Sequence, residues 1–347
     1  MLASENARAP LAILNCRTLL LVCSMVIAHG IAAQAQTRLP LDFQHASPSP
    51  ESEGFSQSAS GPQRTQAEEA RWLMERALLS GVWGPPVHCM VGFEITFLNR
   101  ASRGSGLYAR GRSGLGEMKM SLKIVAGDHL NILEQVSDGR MLHTSQTIDG
   151  VGESRRVDLG RVREYLGLFT EQDRADPLVA LHLAIGGQNE KLRTLCQQYK
   201  WVGVQAGKFS QPGRMGELDV WWLRGERATE PSALHGLADI DSQLVTADGA
   251  GIAPDHAKIA IGRTPPLQYW LYHVEETRRS KAPGPTGGSS LVAKIDYYQP
   301  VIREMPPTMF NYDPEVYASG VEGMVDETRK YIPPSRTPTS QTAARSR

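Results

Sequence analysis

Apolar and polar residues alternate along several short segments in the middle of this chain. The clearest is residues 118–125, where methionine, leucine and isoleucine alternate with lysine and serine. Residues 91–97 and 130–136 show similar spacing. A period of two is typical of a β-strand that buries one face. Asp138-Gly139 follows directly, and Asp-Gly between alternating segments indicates a hairpin turn. The pattern therefore predicts an antiparallel meander.

Other segments carry helix signals. Residues 65–80 open with Thr65 and Glu68 at capping-box spacing, and their apolar positions fall near one face. Asp176-Pro177 supplies an N-cap and a first-turn proline for a helix over 176–187. Two further helices are predicted over 158–167 and 190–199. Strands resume from residue 201, and the last is expected over 305–312. The fold class is therefore predicted as α+β.

The N-terminus looks like a targeting segment. Arg8 and Arg17 precede a short apolar run over 19–28, and Ala33-Gln34-Ala35 has the form of a signal-peptidase site. Residues 1–35 are therefore predicted to be a signal peptide cleaved near Ala35, which would make the protein periplasmic or secreted. The alternative is an uncleaved membrane anchor.

Composition divides the remainder of the chain. Residues 36–64 are rich in serine, proline, glutamine and glycine and are predicted to be a disordered linker, and residues 333–347 a disordered tail. Residues 65–332 are predicted to form one domain. The chain has 37 basic and 37 acidic residues, so nothing indicates a nucleic-acid partner.

Cysteine usage is consistent with export. Cys16 and Cys23 lie within the expected signal segment, which leaves Cys89 and Cys196 in the mature chain. Two cysteines in an oxidising compartment can form a disulfide. The sequence leaves the alternative of two separate buried thiols equally open.

The sequence does not predict catalytic chemistry. The nine histidines are scattered singly and there is no Cys-x-x-Cys pair, so neither a metal site nor a cofactor is expected. Gly111-Arg112-Ser113-Gly114 lacks the final glycine and the helical context of a nucleophile elbow. Carboxylates such as Glu94 and Asp158 could form a glycosidase pair only if they faced one cleft. The protein is therefore predicted not to be an enzyme.

Large apolar residues also occur on both faces of two strands. Trp221-Trp222-Leu223 and the run from Tyr269 to Tyr272 place large side chains at successive positions. Both faces of such a strand must be covered, by helices, by a partner or by a ligand.

Four local motifs resemble the outer-membrane lipoprotein-carrier superfamily, whose members have the LolA-type fold. They are an initial helix and strand leading to the run at 104–108, the hairpin at 137–140, the helical insertion beginning at Asp176, and the ending at 310–314 with Val325-Asp326 close behind. The resemblance implies a half-open barrel, in which helices cover the concave face of a strongly curved antiparallel sheet. It also implies an apolar cavity.

The resulting hypothesis is a non-catalytic protein that binds a lipid or the acyl chain of a lipoprotein, is peripheral to the membrane and has envelope proteins as further partners. Helices 158–167 and 176–187 are the expected lid. One alternative is an interaction module of the envelope without a cavity, and another is a hydrolase acting on an envelope polymer. The expected ligand-binding residues are Phe93, Ile95, Phe97, Met118, Met120, Leu122, Leu130 and Ile132.

Overall fold

A computed structural model describes residues 64–97, 100–112, 114, 116–126, 129–148, 151–167, 172–211, 213, 216–228, 254–279, 289–313 and 321–332. The expected signal peptide, nearly all of the linker and the C-terminal tail lie outside these residues and stay predictions. The described helices are α1 (Gln66–Trp83), α2 (Leu159–Leu166), α3 (Pro177–Leu183) and α4 (Gly187–Gln198). Short 3-10 turns span Gln172–Ala175, Pro307–Phe310 and Thr328–Lys330.

The described strands form one sheet. They are β1 (Val87–Phe97), β2 (Arg100–Arg110), β3 (Glu117–Ala126), β4 (His129–Asp138), β5 (Met141–Ile148), β6 (Val151–Asp158), β7 (Tyr199–Ser210), β8 (Glu217–Arg227), β9 (His256–Gly262), β10 (Leu271–Arg279), β11 (Ser289–Ile302) and β12 (Val321–Asp326).

The sheet is open and almost entirely antiparallel. Its order is β12-β6-β5-β4-β3-β2-β1-β11-β10-β9-β8-β7, and β12 pairs with β6 in parallel. Pairing of β1 with β11 joins the two meanders. The sheet curls without closing and carries a few helices. The predicted α+β class with a curved antiparallel sheet is therefore confirmed.

Local signals set the helix starts as predicted. Thr65 and Glu68 form a complete capping box at α1, and the Asp176 side chain accepts a hydrogen bond from the backbone N–H of Leu178 at α3. Asp158 caps α2 in the same way, and Gly167 ends that helix in the left-handed conformation.

The prediction for the third helix was wrong at its end. α3 stops at Leu183 rather than at residue 187, and Gly186 and Gly187 lead into α4 with φ values of 79° and 57°. The expected strand over 305–312 was also wrong, because Pro307–Phe310 forms a 3-10 turn that buries Phe310. β6 and β12 were not predicted.

A buried arginine joins α1 to the sheet. The Arg110 guanidinium donates hydrogen bonds of 2.7 Å to the Ser80 carbonyl, 2.6 Å to the Gly81 carbonyl and 2.8 Å to the Pro85 carbonyl. The Ser80 carbonyl also accepts from the Gly84 N–H. The Gly81 and Pro85 carbonyls lie in the last turn and just beyond it, where intrahelical donors are missing. The same guanidinium lies 5.3 Å from the centroid of the Trp270 ring.

Cys89 and Cys196 are separate free thiols in the structure. Cys89 faces the core on β1 and Cys196 lies on α4. The possible disulfide is therefore not formed. Burial raises the pKa of both thiols, that of Cys196 to about 12 with a smaller contribution from the Glu75 charge.

Candidate functional sites

The inner face of the sheet, defined as the face that packs against the helices, encloses a small apolar void. Its volume is about 30 Å³, room for no more than a few water molecules. The side chains around it come from β1, β3, β11 and α4. They are Val91, Phe93, Ile95, Met120, Leu122, Ile295 and Tyr297, with Gly187 and Lys191 above them.

Two glycines make the floor of this void possible. Gly104 and Gly106 lie on β2 directly opposite Phe93 and Val91. A Cβ at Gly104 would collide with the Phe93 ring, and a Cβ at Gly106 would collide with the backbone of β3. Glycine inside a strand often marks such a close approach. The ring of Phe93 therefore lies over β2.

The structure brings most of the predicted lining residues to one face. Phe93, Ile95, Met120 and Leu122 surround the void, while Met118 borders a second void of about 20 Å³. Phe97 ends β1, and its side chain lies outside the described residues. Whether any of these residues binds a ligand stays a prediction.

Two predicted residues lie on the other face. In β4, Leu133 pairs with Leu122 and Asn131 with Ile124, so these positions point inward. Leu130 and Ile132 consequently point outward, and Leu130 is 53% exposed. Their assignment to the lining was wrong, because successive side chains of a strand face opposite sides. The sequence also missed Val91, Ile295 and Tyr297.

The expected lid helices cover another part of the inner face. The helix above this void is α4, whereas Leu159 and Val162 of α2 and Leu183 of α3 line the second void beside Met118. α4 is unusually polar for a buried helix. Its side chains that are less than a tenth exposed include Gln188, Glu190, Lys191, Arg193 and Thr194. Such residues are rarely buried without partners, and hydropathy alone would place this helix at the surface.

Several hydrogen bonds join α4 to the sheet. The Lys191 ammonium lies 2.7 Å from the Glu276 carboxylate, and the Tyr199 hydroxyl donates to the same carboxylate at 3.0 Å. Gln188 donates to the backbone carbonyl of Leu271 at 2.9 Å. At the start of the helix, the Gly187 N–H donates to the Gln135 side chain at 2.9 Å.

Two other buried side chains of α4 lack some of their hydrogen-bond partners. Glu190 and Arg193 are 3.8 Å apart, and neither Glu190 Oε1 nor two of the Arg193 nitrogens has a hydrogen-bond partner among the described residues. Burial raises the pKa of Glu190 to about 7 despite the nearby Arg193 charge. A buried polar atom without a partner costs free energy.

The outer face carries a larger open groove. Its volume is about 430 Å³, and it crosses β7, β8, β9 and β10. Trp222 is half-buried there, with the Lys258 ammonium 4.4 Å from its ring centroid. The other side chains around it are Gln66, Gln205, Arg224, His256, Glu275 and Thr277.

A buried histidine–carboxylate pair lies beside this groove. His273 Nδ1 is 2.6 Å from Asp296 Oδ1, and its Nε2 is 3.6 Å from Glu275. Burial favours a higher Asp296 pKa, but the hydrogen bond and charge of His273 hold that pKa below its usual value. A hydrolytic base needs a nucleophile or water at its second nitrogen. His273 instead faces a second carboxylate there. The described residues also contain no cluster of three metal-ligating side chains.

Comparisons with known proteins find similarity in structure only. No family model and no curated protein matches the chain. Matching solved structures include LprF from Mycobacterium bovis, at 12% identity and TM-score 0.31, covering 70% of this chain and 99% of that one. A LolA superfamily protein from Nitrosomonas europaea matches at 10% identity and TM-score 0.26, covering 70% and 98%. A putative outer membrane lipoprotein-sorting protein domain from Vibrio parahaemolyticus matches at 8% identity and TM-score 0.28, covering 71% and 97%.

The open, curled antiparallel sheet with helices is the architecture that the motif resemblance implied. The fold class itself follows from the open, curled sheet and its helices. At these identities and TM-scores, the matches inform no statement about ligand, partner or location. Among the described residues, no helix combines the length and the apolar character needed to cross a membrane.

Proposed function

We propose that this protein is an exported, non-catalytic binder of an apolar molecule, with a lipid acyl chain as the ligand class. The ligand would occupy the hollow beneath α4, among the inner faces of β1, β3 and β11. One observation carries the proposal: these apolar faces are covered by a helix whose buried residues are mostly polar.

The void of about 30 Å³ cannot hold an acyl chain. Uptake therefore requires α4 to move away from the sheet. Gly186 and Gly187 have positive φ at the start of this helix, which is where the backbone can change direction most easily. The unpartnered polar atoms of Glu190 and Arg193 would regain water when the helix leaves.

The apolar ligand supplies the opposing free energy. Each buried methylene contributes about 0.8 kcal/mol, so a chain of about sixteen carbons provides roughly 12 kcal/mol of gross transfer energy. This gross gain opposes the loss of the contacts that α4 makes with the inner face. Either α4 or the acyl chain would then cover the apolar inner faces of β1, β3 and β11, and the two would exclude each other.

The test is uptake of a fluorescent fatty acid by the purified protein, with hydrogen exchange followed in α4. We expect saturable uptake and faster amide exchange in Gly187–Gln198 when ligand is bound. Met120→Arg places a charge in the hollow and should abolish uptake. Leu130→Arg is the matched control, because Leu130 is exposed on the outer face of the neighbouring strand.

Met120 is 4% exposed, so the arginine variant can also fail to fold. Met120→Gln, of similar length, is the second variant, and thermal melting identifies which variants retain the fold. No uptake by the wild-type protein, or undiminished uptake by a folded Met120 variant, would contradict the proposal.

A second function is favoured by the same small void. A hollow already filled by α4 suits an interaction module of the envelope that binds no ligand. That alternative predicts no uptake, together with slow amide exchange in α4 at every lipid concentration.

A further inference from the structure

The outer groove contains two cations that face each other. Arg224 on β8 and Lys258 on β9 are direct cross-strand partners, and both are exposed. Like charges at such positions repel. These two residues begin a row of cross-strand partners that runs over the outer face from β8 to β1. Farther along this row the charges alternate, since Lys258 lies opposite Glu275, Glu275 opposite Lys294, and Lys294 opposite Glu94. The end of the row that lies in the groove therefore carries surplus positive charge.

Glu275, which also lines the groove opposite Lys258, offsets only one of these two charges. Within the described part of the chain, no carboxylate lies within 4.0 Å of the Arg224 guanidinium or the Lys258 ammonium. Lys258 instead lies over the Trp222 ring. An anionic group in the groove would relieve the repulsion between the two cations and could contact both of them.

Trp222 provides a flat apolar surface beside these cations. A Cβ at Gly207 would lie 2.9 Å from Trp222 Cδ1, so the glycine allows the indole to lie against β7. Phe209 and His273 hold the ring from the sides, with centroid distances of 5.8 Å and 5.7 Å. The His273–Asp296 hydrogen bond in turn fixes the imidazole. The indole is therefore a supported platform, and the flexible Lys258 covers its open face.

Hydrogen-bonding side chains surround the platform. Gln66, Gln205 and Thr277 line the groove, and its volume of about 430 Å³ suits a small molecule. Amides and hydroxyls can bond to sugar hydroxyls, while the apolar face of a sugar ring stacks on indole. We propose that the groove binds a sugar that carries a carboxylate or phosphate group. The anion would draw Lys258 away from Trp222 and leave the ring free for the sugar.

This site is separate from the hollow under α4 and does not depend on it. The test is calorimetric titration of the purified protein with glucuronate and with glucose 6-phosphate. Glucose and inorganic phosphate serve as the neutral sugar and the bare anion. We expect at least one of the two anionic sugars to saturate the site and to bind about tenfold or more tightly than either control.

Three variants locate the binding site. Lys258→Ala and Arg224→Ala should each weaken binding of the anionic sugar about tenfold, because each removes one charge-assisted contact. Lys123→Ala is the matched control, since Lys123 is exposed on the outward face of β3, away from the groove. Its affinity should equal that of the wild-type protein. Melting temperatures verify that all three variants fold.

Four results would overturn the proposal. Glucose binding as tightly as glucuronate would remove the role of the charge. Phosphate binding as tightly as glucose 6-phosphate would indicate an adventitious ion only. Absence of saturation with both anionic sugars would remove the site, and equal affinities of the Lys258, Arg224 and Lys123 variants would place binding elsewhere.

Discussion

Lys191 on α4 and Glu276 on β10 form a 2.7 Å ion pair inside the curled sheet, with side chains only 7% and 4% exposed. The pair lies at the edge of the apolar void, because Lys191 also lines that void. A buried ion pair adds little net stability compared with apolar residues of similar size. Its directional contact does, however, fix where α4 sits over the sheet.

Breaking this pair from one side should be costly. Lys191→Ala leaves the Glu276 carboxylate buried without its counter-ion, and we expect unfolding to become easier by about 3–5 kcal/mol. Urea denaturation measures the change. The double variant Lys191→Met with Glu276→Gln keeps an acceptor for the Tyr199 hydroxyl and should recover most of this loss. A single variant as stable as the wild-type protein would show that the pair is not buried in solution.

Glu190 should make stability depend on pH. Its pKa is raised from 4.5 to about 7 by burial, which outweighs the opposing Arg193 charge. The folded protein therefore binds more protons than the unfolded chain between these values. Its contribution to stability is complete below the unfolded pKa and is lost as the pH rises through the folded pKa. The loss is at most about 3 kcal/mol.

The matched variant for this prediction is Glu190→Gln, which keeps the shape and cannot ionise. We expect urea denaturation to give similar stabilities for the two proteins near pH 5 and a more stable variant near pH 8. The comparison also removes the effect of His182, whose pKa is lowered by burial and which acts in the opposite direction as the pH falls. A wild-type protein that matches the variant at both pH values would rule out the shift.

Features set by neighbouring residues could be predicted from the sequence. The Thr65–Glu68 capping box and the Asp176 cap depend on contacts within three residues. The same holds for the hairpin, where the Asp138 carboxylate accepts from the Arg140 and Met141 N–H groups, and Gly139 has a φ of 89°. The buried face of the strand over residues 118–124 could also be predicted, because every second residue there is apolar.

The candidate site could be predicted only in part, because its remaining features depend on distant partners. In β4 the apolar residues fall on both faces, so the pattern does not say which face is buried. The Gln135 side chain points inward, where it accepts from Gly187, 52 residues away. α4 is buried although it is polar, since Lys191 meets Glu276 85 residues along the chain. The Trp221-Trp222 run places large apolar side chains on both faces of one strand. It therefore predicted that both faces are covered, but it did not identify what covers them.

Arg110 should control the C-terminal end of α1. Arg110→Met keeps the side chain's bulk near Trp270 but removes the donors to the Ser80, Gly81 and Pro85 carbonyls. Bonds from charged donors are worth about 1.5–3 kcal/mol each, so we expect a loss of at least about 3 kcal/mol in urea denaturation. Arg103→Met is the control, because the Arg103 side chain is 76% exposed. Equal stability of the two variants would contradict this role.

The thiols of Cys89 and Cys196 should be unreactive in the native, ligand-free protein. Only thiolate reacts rapidly with a maleimide, and burial raises the pKa of both Cys89 and Cys196. Cys89 is 1% exposed and on the inner face of β1, so reagent reaches it only when the sheet opens. We expect mass spectrometry to find neither cysteine labelled in the native protein, and one label on each of them in denaturant without reductant. A denatured protein that accepts label only after reduction would instead contain the disulfide that the structure lacks. The labelling rate of Cys196 in the presence of fatty acid extends the test to α4, because this thiol lies on that helix and faster labelling would report that the helix moves.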